Sequence, residues 1–287
     1  MLSIAGYATT SDKELWRAFR EEAIDAYKED WNSYNTWIQE QGAEPLKDPT
    51  RFYNHSPYLN LYLCPDELDY TDIRPRPDKW HNIDWLMREE KDSDGKEFKE
   101  FDLAKEFGSQ WENIKARDDK IIYLSMGSIG SADVRLMKRL VGILSDSPHR
   151  IIVSKGPLGD EYELAPNMVG KNHVPQTKIL PLVDCVITHG GNNTLTETLY
   201  HGKPMVVLPI FSDQYDSAQR MVEKKLGERC DPYYCGEKEL LDKVEKLLFD
   251  VSLKERLDVM AKRMQQSKSK ERAIELIEKL VKEMKEK

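Results

Sequence analysis

The sequence predicts an α/β protein built on a doubly wound parallel sheet. Three observations predict it. From Lys120 onward, short apolar runs alternate with segments of helical spacing. Several of the runs are continuously apolar, as in strands covered on both faces. The runs end in glycine, proline or polar punctuation, where a chain turns from strand to helix.

Residues 1–87 are aromatic-rich and lean towards helix, with a later extended piece. Trp16, Phe19, Ala23, Tyr27, Trp31, Tyr34 and Trp37 fall at three- or four-residue steps, as on a helix face. SPYLNLYLCP at 56–65 reads as a strand closed by Pro65, and Arg74 to Pro77 as a rigid turn. Residues 88–117 are charged and poor in apolar side chains; they predict a linker or surface insertion, with a helix around Phe98 to Phe107. Strands are expected at 121–125, 150–154, 185–189, 204–209 and 227–230. A helix is expected at 134–144, capped by Ser131 or Asp133, with others at 194–201 and 214–226. The connections should be right-handed crossovers. The tail, 252–285, reads as two helices. The expected units are 1–87 as a partial front domain, 88–117 as linker, 118–250 as the main sheet domain, and 251–287 as helices packing back on the front.

The bulk properties exclude several classes. A net charge of -8, from 51 acidic and 43 basic side chains, disfavours nucleic acid as partner. No stretch approaches the roughly 18 apolar residues of a membrane span, and the N-terminus is a poor signal peptide. Cys64, Cys185, Cys230 and Cys235 make no metal-ligand pattern. Cys185, inside the apolar run VDCVIT, reads as a buried free thiol, and a reducing, cytoplasmic location is expected.

Ligands of open parallel sheets sit beyond the carboxyl ends of the strands. After 121–125 comes Met126-Gly127-Ser128-Ile129-Gly130-Ser131, small enough for a phosphate to approach the backbone. It matches neither GxGxxG nor a Walker loop, and a tight turn without ligand is equally open. After 185–189 come His189, Gly190, Gly191, Asn192, Asn193 and Thr194, then Glu197: a diphosphate cradle. Thr194-x-x-Glu197 also fits a capping box, and Asn and Gly serve ordinary turns. After 204–209, Asp213 and Gln214 suit vicinal sugar hydroxyls, or Ser212 or Asp213 caps a helix.

Residues 120–231 resemble the C-terminal, donor-binding half of the UDP-glycosyltransferases, in the two-Rossmann (GT-B) architecture, closest to soluble macrolide-type members. The matching elements are Ser125 to Ser128, Val174 to Gln176, Thr188 to Gly191, Asn193-Thr194, Glu197, Gly202-x-Pro204, Pro209 and Asp213-Gln214. The resemblance implies that Gly127 and Ser128 touch the phosphates. It gives uracil to His173, Val174 and Gln176, and the diphosphate to His189 with Gly191, Asn193 and Thr194. Glu197 would accept from the ribose, and Asp213 and Gln214 would read the sugar. Two departures stand out: the family often has Trp at His173, and plant-type members have Trp at Asn192.

The implied reaction is inverting transfer of a hexose, most simply glucose from UDP-glucose, to a hydroxyl of a small lipophilic acceptor. The UDP-sugar is co-substrate, and no cofactor or metal is expected. The stretch before Lys120 resembles only the later part of the family's front Rossmann domain, its acceptor-side helices and then the strand at 57–63, so 1–87 is expected to be an incomplete acceptor-side domain. The family's general base is a histidine near the start of the chain; here none precedes His55, and no catalytic residue is assigned. Two alternatives remain: a truncated or split nucleotide-sugar-binding protein without stand-alone catalysis, and a UDP-sugar epimerase. An incomplete front also leads us to expect self-association, or a partner chain supplying the missing half.

Overall fold

The computed structural model describes residues 5–87, 101–114 and 120–286. At the front, α1 (Lys13–Ala26) and α2 (Lys28–Glu40) are separated by a break at Tyr27. Asp12 caps α1, accepting from Glu14 N at 2.9 Å. The aromatic spacing thus belongs to two helices, not one. The strand read at 56–65 is shorter, β1 (Asn60–Leu63), because Ser56 and Asn60 bond each other in a turn. It pairs in parallel with β2 (Trp80–Ile83), which the sequence reading lacked. Of the charged linker, 88–100 and 115–117 lie outside the described residues. The helix expected around Phe98 to Phe107 is found as α3 (Leu103–Phe107), capped by Asp102 and followed by α4 (Ser109–Glu112).

The main sheet holds six strands: β3 (Ile121–Ser125), β4 (Arg150–Ser154), β5 (Met168–Lys171), β6 (Cys185–Thr188), β7 (Met205–Val207) and β8 (Gly227–Arg229). All are parallel, in the order β5-β4-β3-β6-β7-β8. Between them run α5 (Gly127–Gly130), α6 (Val134–Leu144), α7 (Gln176–Ile179), α8 (Asn192–Tyr200) and α9 (Gln214–Glu223). Then come α10 (Glu237–Phe249), α11 (Val251–Gln265) and α12 (Ser269–Lys285). Ile122, Leu124, Ile151, Val186 and Val206 are fully buried, with Leu140 of α6 and Leu240 of α10. Each such side chain stabilises the fold by about 1.5–3 kcal/mol. Of the two caps considered for α6, Asp133 is used: its carboxylate accepts from Leu136 N at 3.0 Å.

The tail joins this domain to the front. α11 packs on α8 and α12 against β2. Asp84 N donates to Ser269 Oγ at 3.0 Å, and the Arg263 guanidinium spans Glu67 and Asp84. No helix among the described residues is long and apolar enough to cross a membrane.

Candidate functional site

The strand order reverses at β3. The chain runs outward through β4 and β5, then returns to lay β6 on the other side of β3. Such a switch point opens a crevice at the carboxyl ends of the two strands. Here those ends are Ser125 and Thr188, partners in the register.

His189 fills the mouth of this crevice. A methyl group on Gly127 would lie 2.6 Å from His189 Cε1, and one on Gly191 would lie 2.4 Å from its Nε2. Gly127 also takes φ +67°, which side chains rarely adopt. The imidazole is thus lodged between the backbones of two strand tips, and only glycine leaves it room. Burial lowers the His189 pKa; a hydrogen bond to the Ser125 backbone and the charge of Asp213 oppose this. Because the Ser125 carbonyl can only accept, one ring nitrogen is a donor there. Nδ1 of the ring also lies 3.3 Å from Thr188 Oγ1.

Gly191 begins α8 with no side-chain cap, so the first-turn amides have no partner within the helix. The capping-box reading is not what forms: Thr194 lies inside α8, and Glu197 accepts instead from Gln176 Nε2 at 2.6 Å. Gln176 Nε2 also reaches Thr194 Oγ1 at 3.2 Å, and its Oε1 accepts from Tyr123 and Ser125, both at 3.3 Å. Glu197 is only 1% exposed, so its carboxylate lies beneath the crevice and is steadied by Gln176. Gln176 therefore has partners other than a nucleobase. Val174 is buried; His173, Ser128 and Asn193 are exposed.

At the third tip the two expected sugar readers part company. Gln214 is buried, and its Oε1 accepts from Ile210 N at 2.9 Å and Phe211 N at 3.2 Å. It builds the turn. Asp213 is exposed and makes no side-chain cap, so its carboxylate stays available at the helix start. Ser212 does not cap either; it takes φ +57° within the turn.

One residue of this neighbourhood escaped the sequence reading. Tyr123 lies in an apolar strand, and a buried Tyr hydroxyl needs a partner, which was the available signal. Asn192, read within the cradle, donates to the Leu63 carbonyl at 3.0 Å and ties β1 to the start of α8. His55 sits against Arg51 and Trp80, away from these contacts. Cys185, Cys230 and Cys235 are buried free thiols, and burial pushes Cys185 up to about 12.

Comparison with known proteins fits this geometry. The family model for UDP-glucoronosyl and UDP-glucosyl transferases matches residues 99–280. UDP-glucuronosyltransferase 3A1 of Xenopus laevis is 32% identical over 134 residues, 43% of this chain and 25% of that protein. Demethyllactenocin mycarosyltransferase of Streptomyces fradiae is 28% identical over 143 residues, 49% of this chain and 31% of that one. These alignments thus span about a quarter to a third of those relatives' length. The crystal structure of the glycotransferase of kitacinnamycin superposes with a TM-score of 0.71 at 23% identity, over 93% of this chain and 67% of that one. That likeness establishes the GT-B type of fold. With the family model covering more than half of its residues, the chain belongs to the UDP-glycosyltransferase family.

Proposed function

We propose that the chain binds a UDP-sugar in the switch-point crevice and transfers its hexose, most simply glucose, to a hydroxyl of a small lipophilic acceptor. The observation that carries this reading is the His189 ring held between Gly127 and Gly191. It gathers backbone amides, the first turn of α8 and an imidazole around one opening. Gly127, Ser128, Gly191, Asn193 and Thr194 take the phosphates beside His189. His173 and Val174 border the uracil. Glu197, steadied by Gln176, accepts from the ribose, and Asp213 from the sugar, aimed by the turn that Gln214 holds.

In the reaction the acceptor oxygen attacks the anomeric carbon, its proton passing to solvent, as the bond to the β-phosphate oxygen breaks, with inversion. The charge of the departing UDP collects at His189 and the start of α8. The UDP-sugar is co-substrate and no other cofactor is invoked. No described residue is given the role of base. The free thiols suit a reducing compartment, and we place the protein in the cytoplasm. A second reading, donor binding without stand-alone turnover, is separated from this one by the assay below.

The test is calorimetric titration with UDP and UDP-glucose, then assay of UDP release with mixed phenols. Binding that falls about 30-fold in His189→Ala, and less in Glu197→Ala, is expected. Equal affinity in the wild type and both variants would remove the site assignment. Binding without UDP release would favour the second reading.

A further inference from the structure

Five polar side chains are buried together beneath the crevice: Tyr123 and Glu197, each 1% exposed, with Ser125, Gln176 and Thr194. Tyr123 and Ser125 are two apart on β3 and so share a face of the sheet. Thr194 and Glu197 are three apart on α8 and share a face of that helix. Gln176, the first residue of α7, stands between the two pairs. Its Nε2 donates to Glu197 Oε2 at 2.6 Å and to Thr194 Oγ1 at 3.2 Å. Its Oε1 accepts from the hydroxyls of Tyr123 and Ser125, both at 3.3 Å. Burying polar groups costs stability unless each is paired. Apolar side chains of the same volume would fill this space without that cost, so the cluster needs a use other than packing.

We propose that Tyr123 is a positioning residue: with Ser125, its hydroxyl fixes which way the Gln176 amide faces, and through the amide it aims the Glu197 carboxylate at the 2′-hydroxyl of a bound nucleotide. The proposal rests on the donor reading above and adds the residues that set a preference for ribose over deoxyribose. The two ends of an amide have opposite character. A carboxylate accepts, so the amide NH2 faces Glu197 and the amide oxygen faces β3. There the two hydroxyls donate to it and hold the amide in this sense. Turned over, the amide oxygen would meet the carboxylate, and two acceptors at that distance repel. A carboxylate offers about four acceptor sites, so Glu197 keeps capacity for a ribose hydroxyl while Gln176 holds Oε2. A 2′-deoxynucleotide lacks that donor, and a site built to bond a hydroxyl discriminates against a ligand without it. The aim of Glu197 is therefore read in the ratio of the affinities for UDP and 2′-deoxy-UDP. Both hydroxyl bonds are long, so each one contributes modestly and the two act together.

The test is calorimetric titration of UDP and 2′-deoxy-UDP into wild type, Tyr123→Phe, Ser125→Ala and the double variant, with melting temperatures to check the fold. Wild type should prefer UDP by about 30-fold. Each single variant should cut that preference about threefold, and the double variant about tenfold. The change should come from weaker UDP binding, with 2′-deoxy-UDP held within about twofold of wild type. In a Gln176→Met background, Tyr123→Phe should leave the preference unchanged, because no amide remains to be turned. Equal loss of both nucleotides would mean that the hydroxyl serves packing alone, and would overturn the proposal. An unchanged preference in the double variant, or the same loss with and without the Gln176 amide, would overturn it too. If Tyr123→Phe does not fold, Ser125→Ala decides by the same ratio. A wild type that binds both nucleotides alike keeps the donor site and overturns this assignment only. A wild type that binds neither defeats the donor reading and the proposal with it.

Discussion

The main sheet domain and the front region are held together by different physics. In the main sheet, β3, β4, β6 and β7 are buried along most or all of their length, and the chain coheres through apolar packing. In the front, β1 and β2 are half-buried throughout, α1 buries no residue, and Trp37 is 54% exposed. Leu68 enters the main core and Cys64 and Trp85 pack against it, but most of what ties the front down is a set of polar pins into the main domain. Arg220, 3% exposed, donates to the Leu68 and Asp69 carbonyls and to Asp72, and lies over the Tyr70 ring. Asp216 accepts from Gly6 N, Glu223 from Thr9, and Asn192 donates to Leu63. A packed core resists local opening; a pinned region opens when a pin is lost.

The largest effect should come from Arg220→Ala. It leaves carbonyls and a carboxylate without their cation and costs about 3–5 kcal/mol. Limited proteolysis should then cut within 5–87 first, while the released core keeps its UDP affinity. Uniform cleavage along the chain would erase the contrast.

Next is Gly127→Ala, placed wholly in the packed domain. Its methyl group meets His189, and its φ is unfavourable, so we expect a loss of about 2 kcal/mol in thermal unfolding. Adding His189→Ala should recover the steric part of that loss without restoring UDP binding. A double variant no more stable than Gly127→Ala alone would show that the ring is not what the methyl group meets.

A smaller effect concerns pH. Burial keeps His189 neutral in the free protein, and diphosphate binding favours its protonated form. UDP-glucose affinity should therefore fall as pH rises from 6 to 8, by up to about tenfold per pH unit. His189→Ala should flatten the profile, and a flat wild-type profile would remove the imidazolium from the site.

The smallest effect tests a single pin. Asp216 is pushed up from 3.8 to about 6, chiefly by burial. The folded chain holds this proton more tightly than the unfolded one, so the stabilisation is complete below 3.8 and is lost as pH rises through 6. Asp216→Asn keeps an acceptor for Gly6 and should raise stability by about 1 kcal/mol at pH 8, with the gain vanishing towards pH 4. A loss at pH 8 would mean that the charge itself holds the segment at Gly6.

The same contrast governs what the sequence discloses. β3, β4 and β6 were legible because strands covered on both faces must be apolar throughout. β5 was missed: MVGK is short, ends in Lys171, and carries Gly170, whose methyl group would lie 2.3 Å from the Val153 carbonyl oxygen. α10 was missed although Leu240, Val244 and Leu247 carry a plain helical period. In the front the aromatic period disclosed helices, but the pins were not legible, because they need single polar residues at no fixed spacing. At the site, His189 and its glycines were readable as a cluster, since one turn brings them together. That Gln176 steadies Glu197 was not readable, because 21 positions separate them.

The close fit of His189 between two glycines also orders the steps by which this lineage can change. A substitution that adds a side chain at Gly127 or Gly191 meets the ring while the ring is there. Replacement of His189 by a smaller residue meets no such barrier. A descendant abandoning the nucleotide should thus lose the histidine first and fill the glycines afterwards. Sequences with filled glycines and an intact histidine should be the rare class.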